Sequence, residues 1–162
     1  MKGDTRRYIL DHLATIFAGS AMDAKVKAVR EAHNGESLPD IAAVYVNEED
    51  YNKVVSTPCI LLFGRGPDVL SPMSDAYLWE FPVDICAFDV PKADGLPALY
   101  DRLYAYQGCL TDLLLSTYPT TSYWREVRPL EWVDPQNLAD QRFGELGRVE
   151  GFRFGFQVVL SY

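Results

Sequence analysis

The chain has 162 residues, 48% of them apolar and 13% aromatic, which suffices for one domain around a single core and excludes global disorder. Fifteen Lys and Arg against 23 Asp and Glu leave a formal charge of −8 and an isoelectric point near 4.7. A surface of that sign repels phosphate backbones and anionic lipid, which argues against sequence-independent binding to DNA or a membrane. The longest apolar stretches fall far short of a membrane span, and residues 1–7 lead into a charged amphipathic segment rather than a signal peptide.

Thr5 to Ala18 is expected to be a helix, because Ile9, Leu10, Leu13, Ile16 and Phe17 recur at helical spacing and Gly19 follows as a terminator. Ser20-Ala21-Met22-Asp23 resembles a capping box with Asp in place of Glu. It opens a second helix from Ala21 to about His33, with a thin stripe of Met22, Val26 and Val29. Residues 1–34 therefore read as a helical N-terminal segment, closed by the Asn34-Gly35 turn. Ile41 to Val46 reads as a strand, followed by the acidic, solvated Asn47-Glu48-Glu49-Asp50. Pro58 to Gly64 is a continuous apolar run bounded by Pro and Gly. Such a run suits a central strand covered on both faces, by helices on one side and a neighbouring subunit as candidate cover on the other. Residues 64–76, rich in Gly, Pro, Ser and Asp, are expected to form a long hairpin loop.

Tyr77 to Tyr118 reads as one long strand turning into one long helix. Tyr77, Trp79, Phe81, Val83, Ile85 and Ala87 alternate with a set that includes Glu80, Pro82 and Asp84, so a polar face opposes an apolar one. Pro82 lacks a ladder donor and implies an edge or a bulge. Asp94-Gly95-Leu96-Pro97 then supplies a helix start. Leu96, Leu99, Leu103, Tyr106, Leu110, Leu113 and Thr117 form a stripe long enough to cover a sheet, and Tyr118-Pro119 ends the helix. Tyr123 to Val133 reads as a strand, residues 134–148 as a second long loop, and Val149 to Tyr162 as the last strand. In that strand Phe152, Phe154, Phe156, Val158, Leu160 and Tyr162 share one face. The order helix, helix, strands, helix, strands predicts a single α+β domain over residues 1–162. Its antiparallel sheet carries the long helix and the N-terminal helix on one face.

Convergent chemistry is sparse. Cys59, Cys86 and Cys109 are an odd count without CxxC spacing, which argues against a disulfide framework or a zinc site and for buried thiols in a reducing cytoplasm. His12 and His33 belong to no metal-ligand spacing. Gly64-Arg65-Gly66-Pro67 lacks a phosphate-loop pattern. Cys59 has no base or cation nearby in sequence. Glu80 and Asp84 share a strand face, but solvent-facing charge explains them better than catalysis. No catalytic, cofactor or metal residue is assigned, and the chain is expected not to be an enzyme. Trp79, Trp124, Arg125, Arg128 and Trp132 with the two long loops suit a protein that works through contact with other chains, although the tryptophans fit a core equally well.

The order of these elements resembles the tail terminator (tail-tube completion) proteins of long-tailed bacteriophages. The shared pattern is an N-terminal helix, a Pro-bounded apolar strand like Pro58 to Gly64 and a long loop. A strand like Tyr77 to Val90 then runs into a helix like Leu96 to Tyr118, and an ending such as Val158-Val159-Leu160-Ser161-Tyr162 closes the chain. The resemblance implies a homo-oligomeric ring, usually of six subunits, that caps the tail tube and joins it to the head–tail connector. DNA would pass through its acidic lumen without being gripped, with no membrane and no cofactor involved. The protein would reside in the virion and assemble in the host cytoplasm. Other neck (head–tail joining) proteins share the layout, and a non-viral α+β adaptor module is the alternative. Candidate contact residues are Glu48, Glu49 and Asp50; Arg65 and Asp68; Arg125 and Arg128; and Gln141, Arg142 and Glu145.

Overall fold

A computed structural model of the chain describes residues 2–32, 38–47, 56–64, 69–72, 76–117, 126–133 and 148–161. The helices are α1 (Lys2–Phe17), α2 (Ser20–Ala32) and α3 (Gly95–Thr117). The strands are β1 (Ala43–Val46), β2 (Cys59–Gly64), β3 (Val69–Pro72), β4 (Ala76–Asp89), β5 (Glu126–Val133) and β6 (Arg148–Ser161). All six strands join one sheet in the order β1-β2-β4-β6-β5, with β3 also paired to β4.

The α+β architecture is as expected, with one correction: β1 runs parallel to β2, so the sheet is mixed rather than antiparallel. Residues 47–58 separate the two strands, which is the length of connection a parallel pair requires. At its start Asn47, with φ of 60°, turns its side-chain oxygen to accept the Gly64 amide at 3.2 Å. The junction of α1 and α2 is tight. The Gly19 amide donates to the Ile16 carbonyl at 3.2 Å, and a Cβ at Gly19 would lie 3.2 Å from the Thr15 carbonyl.

The helices cover one sheet face. Ile60 and Leu62 of β2 and Val83, Ile85 and Ala87 of β4 meet Ile9, Leu13 and Phe17 of α1, Met22 and Val26 of α2, and Leu99, Leu103, Tyr106, Leu110 and Leu113 of α3. Leu96 of the expected stripe is exposed at the first turn. On the other face Cys59, Leu61, Phe63, Cys86 and Phe88 form a second buried cluster with Tyr45 and Val90 packed against it. Both faces of β2 are therefore buried within one chain, and no neighbouring subunit is needed to cover the run. The same cover corrects the expectation of a solvated polar face on β4: Asp84 is only 4% exposed.

A second correction concerns residues 64–76. They are not simply a loop, because β3 pairs with β4 along the edge that β2 occupies further on. Gly64 stands opposite Val83 and Val69 opposite Glu80, so the register shifts by two residues between β2 and β3. Pro82 lies between the last pair of β2 with β4 and the first pair of β3 with β4, and residues 65–68 on that side lie outside the described residues. On its other side Pro82 stands opposite Gly155 of β6. The outer strand β5 carries Pro129 beside a bulge between Pro129 and Glu131, both features that blunt an exposed edge. Residues 134–147 lie outside the described residues, and Arg148 already belongs to β6.

Candidate functional site

The chain leaves β4 and enters α3 through Gly95, whose φ of 88° favours a residue without a Cβ. Beside this turn Arg102 is buried on α3. Its Nε donates to Asp89 Oδ2 at 3.0 Å, its Nη1 to Asp94 Oδ2 at 2.9 Å and its Nη2 to the Val90 carbonyl at 3.4 Å. Asp89 is fully buried, and its second oxygen accepts the Val90 amide at 2.8 Å. Burial pulls the Arg102 pKa down, but hydrogen bonds and charge from Asp89 and Asp94 outweigh it and raise the pKa. The group clamps the end of β4 to the first turns of α3. A guanidinium held between two carboxylates stays protonated and does not act as a general base.

Next to this clamp, between α2 and α3, lies a groove of about 720 Å³. Its lining includes Val29 and Arg30 of α2, Leu38, and Asp94, Ala98, Asp101, Arg102, Tyr104, Ala105 and Gly108. Segment 38–40 is tied down at its side. Arg30 Nε donates to the Leu38 carbonyl at 2.8 Å, Arg30 also pairs with Asp40, and the Tyr106 hydroxyl donates to the Pro39 carbonyl at 2.6 Å. Burial, reinforced by the charge of Asp89, raises the Tyr106 pKa, so the hydroxyl stays a donor. Tyr104 is 55% exposed and its ring stacks on Tyr100 with centroids 6.2 Å apart.

The three cysteines are buried and unbridged. Burial, with a smaller contribution from Asp89, pushes the Cys59 thiol up to about 12, and burial raises Cys109 as well. Neither thiol has thiolate character at neutral pH. Among the described residues, no group of three His, Cys, Asp or Glu side chains is placed to hold a metal ion, and no helix is long and apolar enough to cross a membrane.

Of the contact residues proposed from the sequence, Glu48, Glu49, Asp50, Arg65, Asp68, Arg125, Gln141, Arg142 and Glu145 lie outside the described residues. Arg128 stands on the edge strand β5 with its backbone opposite Gly155. Trp124 is also outside the described residues, whereas Trp79 and Trp132 occupy sheet positions opposite Val158 and Phe152. The groove went unread in the sequence. Its one visible trace is the spacing of Ala98, Asp101, Ala105 and Gly108, a second stripe beside the leucine stripe of α3. The chain matches no model of a known protein family and no curated protein sequence.

Proposed function

We propose that the chain is a non-enzymatic structural protein of a long-tailed bacteriophage, a tail terminator that forms a ring on the tail tube and joins it to the head–tail connector. The observation that supports this reading best is the order of elements. An N-terminal helix precedes a Pro-bounded central strand, a hairpin returns as the long strand β4, β4 runs into the long helix α3, and β5 and β6 complete the sheet. The charge of −8 supports a lumen that conducts DNA without holding it. The buried thiols and the clamped Arg102 are consistent with a structural role. The protein would then be found in the virion, after assembly in the host cytoplasm.

Light scattering behind a sizing column, across a concentration series, tests the reading. A discrete species of about six subunits is expected, alone or after addition of tail-tube protein. A strict monomer under both conditions overturns the ring. That outcome would leave the adaptor reading, which the groove between α2 and α3 favours.

A further inference from the structure

We draw no further inference here: the strongest candidate, the groove between α2 and α3 with the exposed Tyr104 in its lining, sets Arg30 and Arg102 against Asp94 and Asp101, and nothing in the structure shows what covers it.

Discussion

Arg102 and Gln107 sit five residues apart on α3, both nearly excluded from solvent, and their circumstances are opposite. Arg102 donates from each of its three nitrogens, to Asp89, Asp94 and the Val90 carbonyl. Replacing it by Met leaves the Asp89 carboxylate buried without its cation, at an expected cost of about 3–5 kcal/mol. Urea denaturation measures the loss, and adding Asp89→Asn should recover part of it. A double variant no more stable than Arg102→Met alone would mean that the loss lies in packing rather than charge. Lys at 102 should not restore the native midpoint, because a single ammonium does not reproduce the planar fork. Gln107, by contrast, is 2% exposed, and among the described residues neither its Oε1 nor its Nε2 has a hydrogen-bond partner. An unanswered buried amide is a liability, so Gln107→Leu is expected to raise stability by about 1–2 kcal/mol in the same assay. A fall in stability would show that the amide is satisfied in solution.

At the scale of the element, α3 holds two glycines in different situations. Gly95 sits at φ 88°, where a Cβ is strained, so Gly95→Ala is expected to destabilise by about 1 kcal/mol. Gly108 lies in ordinary helix with open space beside it, so Gly108→Ala is expected to stabilise by about 1 kcal/mol. Thermal melts of the pair should move in opposite directions, and movement in the same direction would contradict this account. The leucine stripe of α3 was legible because residues at spacings of three and four share a face whatever lies opposite. The Ala98–Gly108 stripe carries no such signal: small residues look alike on a solvated face and on a groove floor. The strand β3 was missed for a related reason. Val69–Pro72 is four residues long, follows Gly66-Pro67-Asp68 and itself ends on a proline, and only its pairing with β4 makes it a strand.

At the scale of the whole molecule, both faces of β2 and of the Val83–Asp89 half of β4 are buried, and that burial sets the response to alkali. Cys59, Cys109 and Tyr106 all have raised pKa values, so the fold keeps these protons at pH values where the unfolded chain has lost them. Their contribution is therefore intact below the ordinary thiol value of 9.0 and is lost as pH rises toward about 12, the value for Cys59. The urea midpoint should stay level across neutral pH and fall above about pH 9, less steeply in Cys59→Ala than in the native chain. A midpoint unchanged at about pH 11 would count against buried, neutral thiols.

Taken alone, the sequence determined the helices, the long strands and the apolar faces of β4 and α3, because period and punctuation are properties of the local chain. Only the tertiary structure decided which strands became neighbours. It set β1 parallel to β2, paired β3 with β4, and buried Asp84 under a second covered face. It also gathered Asp89, Asp94 and Arg102 from a strand, a turn and a helix into one clamp beside a groove whose walls come from α2 and α3. Such pairings depend on contacts between distant segments, and a one-dimensional pattern does not record which face meets which.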